Sequence, residues 1–221
     1  MIKYVLFDLD GTLLSTLDTI TYHLNSTISG LSLGEVTPED TRAFIGNGAR
    51  KLVSRALAKN GVTDEETVLR VLRIYNDAYD SDPIPHTYPY EGVSDLVDNL
   101  YEMGITLGVV TNKPEPTAVK LIEHFFPGKF TFVSGGREGA ILKPDPTEAL
   151  SLLESVGGNS SECAFVGDTN VDIYTGKNMN AALSIGVSWG FRSRKELLSA
   201  GADIVVDEAS EILSAVNARN R

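Results

Sequence analysis

Short apolar runs alternate with amphipathic helical segments over residues 93–216, and this alternation constrains the fold more than any other feature. The apolar runs predict buried strands at residues 105–110, 130–133, 164–166, 183–187 and 204–206. Strands joined by single helices form βαβ units, whose parallel sheet is covered by helices on both faces. We therefore predict an α/β fold with a doubly wound, mostly parallel, Rossmann-like sheet.

The N-terminal part of the chain interrupts this alternation. Tyr4–Phe7 predicts a first buried strand, but residues 15–83 carry only helical patterns and no convincing strand. A stretch with three prolines, residues 82–90, follows and is typical of a stiff connection. We predict an α/β core domain of residues 1–14 and 84–221, with an all-helical subdomain of residues 15–83 inserted into it.

Composition excludes several classes of partner. The 221 residues carry a formal net charge of −11, which argues against binding to nucleic acid or to anionic membranes. No signal peptide or membrane span is visible, so we expect a cytoplasmic protein. The single cysteine, Cys163, allows no internal disulfide and is expected to be a buried core residue. The composition is compatible with a monomer or a homodimer.

Two carboxylates, Asp8 and Asp10, follow directly after the first predicted strand. Because strand residues alternate between faces, a spacing of two can aim both carboxylates the same way. Like charges held together repel each other unless a cation or a shared proton relieves them. This pair therefore indicates a divalent metal ion and a reactive site.

Ligands of doubly wound sheets bind outside the C-terminal ends of the strands. Further functional side chains follow the later predicted strands, or stand in a loop before a helix: Thr111, Asn112, Lys143, Asp168 and Asp172. This set fits phosphoryl transfer from a monoester. A carboxylate can attack phosphorus, a second carboxyl can move the protons, and Mg²⁺ with a lysine can neutralise the phosphate charge.

These motifs resemble those of the haloacid dehalogenase-like superfamily of phosphatases, and they occur in the order of that family over essentially the whole chain. The matching stretches are Asp8-Leu9-Asp10-Gly11-Thr12, Thr111-Asn112, Lys143-Pro144 and Gly167-Asp168-Thr169-Asn170-Val171-Asp172. The resemblance implies that the inserted helices form a cap, which closes over the site and contributes contacts to the substrate.

The resemblance also implies a role for each acid. Asp8 would be the nucleophile and a Mg²⁺ ligand. Asp10 would be the general acid and base, with its backbone carbonyl on the metal. Asp168 would bind Mg²⁺, and Asp172 would complete the metal site or support it through a metal-bound water or Lys143. A purely structural role for Asp172, capping its own helix, stays open.

The same resemblance assigns the phosphate contacts. Thr111 and Asn112 would bind the transferring phosphoryl group, although Asn112 could equally be a turn former. Lys143 would steady both Asp8 and the phosphate. Asp145, two residues later, is expected to be structural and to hold the start of a helix.

Within the superfamily, the chain most resembles phosphoglycolate phosphatases and their close relatives. The stretches that carry this likeness are Phe44-Ile45-Gly46-Asn47-Gly48 with Arg50, Thr111-Asn112-Lys113-Pro114 and Gly186-Val187-Ser188-Trp189-Gly190-Phe191. We expect Gly46 and Asn47 to contact the substrate, and Arg50 to pair with a carboxylate on it. The alternative is that Gly46-Asn47-Gly48 is only a turn between helices and Arg50 a surface charge.

The expected function is hydrolysis of a small phosphorylated metabolite, with 2-phosphoglycolate as the leading substrate. A phosphosugar mutase like β-phosphoglucomutase and an inorganic pyrophosphatase would use the same site. A dehalogenase is disfavoured because those relatives lack the second acid that Asp10 provides. A catalytically silent binding module is disfavoured because the core acids and Lys143 are all present.

Overall fold

The computed structural model describes residues 1–221 and contains a six-stranded sheet of order β5-β4-β1-β6-β7-β8. Every neighbouring pair of strands in this sheet runs parallel. The strands are β1 (Tyr4–Phe7), β4 (Thr106–Pro114), β5 (Phe132–Gly136), β6 (Cys163–Gly167), β7 (Leu183–Val187) and β8 (Ile204–Val206). The predicted α/β doubly wound, mostly parallel sheet is confirmed.

Helices connect these strands and cover both faces of the sheet. They are α5 (Val93–Glu102), α6 (Glu115–Phe125), α7 (Thr147–Ser155), α8 (Asn170–Asn178), α9 (Arg194–Ser199) and α10 (Ala209–Asn220), with a short 3-10 helix at Ser160–Glu162. Alternate residues of β1 enter different apolar clusters: Val5 and Phe7 face one, and Leu6 faces the other. Burial on both faces explains why these strands contain continuous apolar runs rather than an alternation of apolar and polar residues. None of the helices is long and apolar enough to cross a lipid bilayer.

Residues 15–83, which we call the helical insert, contain four helices. These are α1 (Leu17–Ser29), α2 (Pro38–Phe44), α3 (Ala49–Lys59) and α4 (Glu65–Ser81). They pack around an apolar cluster of their own, to which the core contributes Phe191. Thr37 and Asp40 form a capping box that starts α2, and Asp64 caps α4. The exact boundaries between core and insert stay a prediction.

A two-stranded antiparallel ribbon joins the two chain segments that connect core and insert. Its strands are β2 (Leu14–Ser15) and β3 (Tyr88–Pro89). The sequence indicated no strand at Ser15 and only a stiff connection around residues 82–90. Each strand of the ribbon has two residues, which is too short to produce an alternation pattern.

The strands β4 and β5 differ from their predicted extents. β4 continues beyond residue 110 to Pro114, after a register shift that lets Pro114 pair with Gly136. β5 begins at Phe132 rather than Phe130, whose ring packs edge-on against Phe7 and Phe126. The extension of β4 matters for function because it carries Lys113 into the region next to Asp10.

Candidate active site

The predicted functional residues converge at the C-terminal edge of three adjacent strands. Asp8 follows β1, Thr111 and Asn112 lie in the last part of β4, and Asp168 follows β6. Since β4 and β6 lie on either side of β1, this edge is where the strand order reverses. Crevices at such switch points are the usual ligand sites of open α/β sheets.

Three carboxylates meet at this edge. One oxygen from each of Asp8, Asp168 and Asp172 lies within 4.8 Å of the other two. Asp168 and Asp172 are almost completely buried, and the Asp8 side chain is 12% exposed. Buried carboxylates repel each other unless positive charge compensates them.

Lys143 provides one such charge from the loop before α7. Its ammonium Nζ lies 2.8 Å from Asp8 Oδ1 and 2.7 Å from Asp172 Oδ1, and its side chain is only 3% exposed. Asp172 therefore contacts Lys143, as the sequence resemblance implied. One lysine cannot neutralise three carboxylates, so the cluster retains an excess of negative charge.

The pKa values of the cluster reflect burial first and the neighbouring charges second. Burial, reinforced by Asp172 and opposed by Lys143, raises the pKa of Asp8 to about 7. Burial, with Asp172 and Asp8 close by, raises the pKa of Asp168 well above its ordinary value. Burial lowers the pKa of Lys143, but the carboxylates of Asp172 and Asp8 outweigh it and raise that pKa above the ordinary value. The cluster thus favours binding of a proton or a cation.

A divalent cation fits this donor set. Carboxylate oxygens are ligands that Mg²⁺ accepts, and it needs few of them because it keeps several waters. Asp8 and Asp168 could hold the ion directly. Asp172 is already committed to Lys143 and to the start of α8, where its Oδ2 accepts hydrogen bonds from the Thr169 amide and hydroxyl.

The carboxylate of Asp168 is fixed by two hydrogen bonds. Thr12 Oγ1 donates to Oδ1 at 2.9 Å, and the Phe191 amide donates to Oδ2 at 2.8 Å. Gly11 has a φ of +84°, and a side chain there would overlap Asp168. Gly11 therefore leaves room for the Asp168 carboxylate, and Thr12 donates the hydrogen bond that orients it.

Thr111 and Asn112 both line the cavity, but the Asn112 side chain is held by hydrogen bonds to the Lys143 loop and the insert. Thr111 lines the cavity beside Asp8 and Asp10. The Asn112 side chain accepts from the Lys143 amide at 2.9 Å and donates to the carbonyls of Lys143 and Gly46. Asn112 thus positions the Lys143 loop and ties it to the helical insert.

Asp10 has a lysine partner that the sequence analysis did not identify as functional. Lys113 Nζ donates to Asp10 Oδ1 at 2.9 Å and to the Tyr79 hydroxyl of α4 at 2.7 Å. The Lys113 side chain is 2% exposed, and burial lowers its pKa below the ordinary value while Asp10 opposes the shift. The available signal was a lysine directly after Thr111-Asn112 at the end of a buried apolar run, where a charge is rare unless it is paired.

A cavity of about 50 Å³ lies between this edge of the sheet and the helical insert. The insert contributes an apolar wall and two glycines, and the core contributes the polar groups. The lining residues are Asp8, Asp10, Ile20, Ile45, Gly46, Gly48, Ala49, Leu52, Tyr75, Tyr79, Thr111, Asn112, Lys113, Pro114 and Thr169.

The predicted substrate contacts of the insert are placed unequally. Gly46 lines the cavity, whereas Asn47 is exposed and accepts a hydrogen bond from Arg55. Arg50 also lies outside the cavity lining, with a side chain that is 62% exposed and paired with Glu65. Asp145 is exposed and caps the start of α7 through Thr147.

Comparison with models of known protein families shows which family the chain belongs to. The model of the haloacid dehalogenase-like hydrolases matches residues 5–185. The chain belongs to the haloacid dehalogenase-like hydrolases. That match spans the acid cluster, Lys143 and the whole helical insert, so the resemblance seen in the sequence is confirmed.

Relatives that align over nearly the full length of the chain indicate which kind of hydrolase it resembles. The phosphoglycolate phosphatase of Vibrio parahaemolyticus is 30% identical over 97% of this chain and 96% of its own. That of Rhodospirillum rubrum is 35% identical over 96% of this chain and 90% of its own. The crystal structure of a predicted phosphoglycolate phosphatase from Lactobacillus delbrueckii superposes with a TM-score of 0.90, at 32% identity, over 97% of this chain and 98% of that one. The chain is a phosphoric monoester hydrolase of this family.

Proposed function

We propose that the protein is a Mg²⁺-dependent phosphatase that hydrolyses 2-phosphoglycolate through an aspartyl-phosphate intermediate on Asp8. The observation that carries this proposal is the cluster of Asp8, Asp168 and Asp172 around Lys143, beside a cavity that also contains Asp10. The phosphoglycolate phosphatases that align with nearly the whole chain support this choice of substrate.

The first chemical step forms a bond between an Asp8 carboxylate oxygen and phosphorus. The bond between phosphorus and the ester oxygen breaks, and Asp10 gives its proton to that leaving oxygen. Lys143 offsets the charge of the phosphoryl oxygens next to Asp8, and the hydroxyl of Thr111, which lines the cavity, offers a further donor. Asn112 keeps the Lys143 loop in place through its backbone hydrogen bonds.

The second step returns Asp8 to its free form. Water attacks the phosphorus of the aspartyl phosphate, and Asp10, now a carboxylate, accepts the proton of that water. The bond between phosphorus and Asp8 breaks and inorganic phosphate leaves. Asp8 and Asp168 would hold Mg²⁺, which supplies neutralising charge for the meeting of an anionic nucleophile and a phosphate.

Closure by the helical insert suits this chemistry, because exclusion of bulk water protects the phosphorylated intermediate. Arg192 of the core donates to the carbonyls of Arg42 and Ile45, and Arg42 donates to the Gly190 carbonyl. These reciprocal contacts support a closed insert over the cavity. We further propose a cytoplasmic protein whose substrate is a small phosphorylated metabolite.

The test measures phosphate release with Mg²⁺ over a panel of esters by the wild type and by Asp8→Asn. The panel contains 2-phosphoglycolate, pyrophosphate, hexose 1- and 6-phosphates and nucleotides. Asp98→Asn is the matched control, because Asp98 is an exposed carboxylate on α5 that pairs with Lys129. We expect a preference for 2-phosphoglycolate in the wild type and the control, and no release by Asp8→Asn.

Three outcomes would contradict parts of the proposal. Appreciable turnover by Asp8→Asn would remove the nucleophile assignment. A preference for another ester would remove the substrate assignment and leave the chemistry in place. Activity that appears only after addition of a bisphosphate sugar would favour the phosphosugar mutase.

A further inference from the structure

Lys113 is the only cationic side chain among the residues that line the cavity. Its ammonium is held between the Asp10 carboxylate, with Oδ1 at 2.9 Å and Oδ2 at 3.3 Å, and the Tyr79 hydroxyl. A buried charge is costly unless it has such partners. The fold therefore maintains a positive charge at one defined place in the cavity.

This place corresponds to the alcohol side of a bound ester. Asp10 is the proposed proton donor to the leaving oxygen, so a group bonded to Asp10 lies next to the alcohol portion. Lys143 instead contacts Asp8 and Asp172, on the side of the phosphoryl group. The two buried lysines thus face different parts of the substrate.

Tyr75 offers a second donor to the same space. The residue is 2% exposed and lines the cavity, and its hydroxyl takes part in none of the side-chain hydrogen bonds of the protein. The start of α3, which also lines the cavity, has Gly48 as its N-cap and no side chain that caps it. An ammonium, a free hydroxyl and helix N-terminal amides together match the acceptors of a carboxylate.

Charge and size restrict what can bind there. Asp8 and Asp10 also line the cavity, so a carboxylate would be repelled if no cation were present. A water needs about 10–15 Å³ of such space, so about 50 Å³ holds roughly three to five water-sized groups, and a ligand enclosed there is small. Arg50, the cation that the sequence suggested for this contact, pairs with Glu65 outside the cavity.

We propose that Lys113 determines specificity by pairing with a carboxylate on the alcohol portion of the substrate, with the Tyr75 hydroxyl as the second donor. The inference rests on the proposed function, since it assumes the ester orientation that Asp10 requires. It also requires more than the proposed function does: the enzyme must distinguish the phosphate ester of an acidic alcohol from that of a neutral alcohol of equal size.

The experiment compares 2-phosphoglycolate with 2-hydroxyethyl phosphate, which has the same two-carbon length and no carboxylate. The measured quantity is the ratio of kcat/KM for the acidic ester to kcat/KM for the neutral one. Lys113→Gln removes the charge and keeps a donor. We expect this ratio to fall by roughly 10- to 100-fold, the size of a lost charge-assisted hydrogen bond.

Lys120→Gln is the matched control. Lys120 also links the core to α4, through Asp80, but it is half-exposed and lies outside the cavity. We expect the control to keep the wild-type ratio, because it loses a tie between core and insert without losing charge at the site. A ratio that falls equally in both variants would overturn the inference.

Further outcomes also decide the question. Equal losses on both esters in Lys113→Gln would mean that Lys113 only positions Asp10, which overturns the inference and leaves the proposed function intact. If the wild type has nearly equal kcat/KM values for the acidic and the neutral ester, both the inference and the assignment of 2-phosphoglycolate as substrate are overturned. Where Lys113→Gln does not fold, Tyr75→Phe decides, since its hydroxyl has no protein partner to lose. A ratio about fivefold lower supports the inference, and an unchanged ratio overturns it.

Discussion

Replacing Lys143 by methionine tests whether this lysine holds the acid cluster together. The side chain is 3% exposed and contacts Asp8 and Asp172, which are 12% and 0% exposed in their side chains. Methionine keeps the length and the apolar part of the side chain but removes its charge. The variant therefore leaves two buried carboxylates without their cationic partner.

The expected loss is large for a single substitution. Removing one partner of a buried ion pair costs about 3–5 kcal/mol. For a chain of 150–250 residues, each kcal/mol shifts Tm by about 2–4 °C, so Lys143→Met should melt roughly 6–20 °C below the wild type. Lys177→Met is the matched control, since Lys177 and its partner Asp203 are 41% and 34% exposed. An exposed pair contributes at most about 1 kcal/mol, or a Tm shift of at most about 4 °C.

The loss should depend on pH with a definite sign. Burial and Asp172 raise the pKa of Asp8 from an ordinary value of 3.8 to about 7, and Lys143 opposes this. A carboxyl whose pKa is raised in the folded state stabilises the fold when protonated, and this contribution is lost as pH rises from about 4 towards 7. Without Lys143 the pKa of Asp8 rises further. The gap between variant and wild type should therefore be small near pH 4 and widen as pH increases.

The assay is thermal unfolding in a chelator, followed by circular dichroism between pH 4 and 8. Mg²⁺ should recover part of the lost stability, because a cation in the cluster replaces some of the missing positive charge. The reasoning is refuted if Lys143→Met melts within the range of the Lys177→Met control at pH 8. It is also refuted if the gap between variant and wild type narrows as pH rises.

Three further predictions concern the chemistry and the core. Asp10→Asn should lower kcat by at least about 10²-fold in phosphate release, because one group serves both proton transfers; a near-normal rate would exclude that role. Chelation should stop phosphate release, Mg²⁺ should restore it and Ca²⁺ should restore it poorly, since its shell is larger and looser; full turnover in excess chelator would argue against a metal. Cys163 is buried, and burial raises its pKa to about 12, so at pH 8 it should react with a thiol reagent only after unfolding; rapid labelling of the folded protein would contradict this burial.

The sequence predicts the sheet and the acid cluster because both depend on local patterns. The central strands contain uninterrupted apolar runs, and Asp8, Thr111 and Asp168 each stand at the C-terminal end of such a run. Parallel strands bring such ends to the same edge whatever the details of packing. The order of the motifs along the chain then indicates which side chains meet.

The rest depends on contacts between distant segments, which a single sequence does not encode locally. Lys113 belongs to the site because a register shift extends β4, and Tyr79 meets it from a helix 34 residues earlier in the chain. Arg50 has the charge and sequence position of a substrate contact, but its place on α3 turns it towards Glu65. Helical periodicity predicts that α3 exists, but not which of its polar residues faces the cavity.

The ribbon of β2 and β3 has a consequence for how such a protein can change over evolutionary time. The chain passes Leu14 just before it enters the helical insert and Pro89 just after it leaves it, and these two residues pair with each other. Segments of very different length can be inserted between ends that are held together, because doubling the length of a closed loop raises the free energy of its closure by only about 0.6 kcal/mol. Recombination at this junction would exchange the part of the cavity wall that the insert contributes, while the acid cluster of the core is inherited unaltered. New specificities can then arise by substitution of a module rather than by gradual redesign of the chemistry.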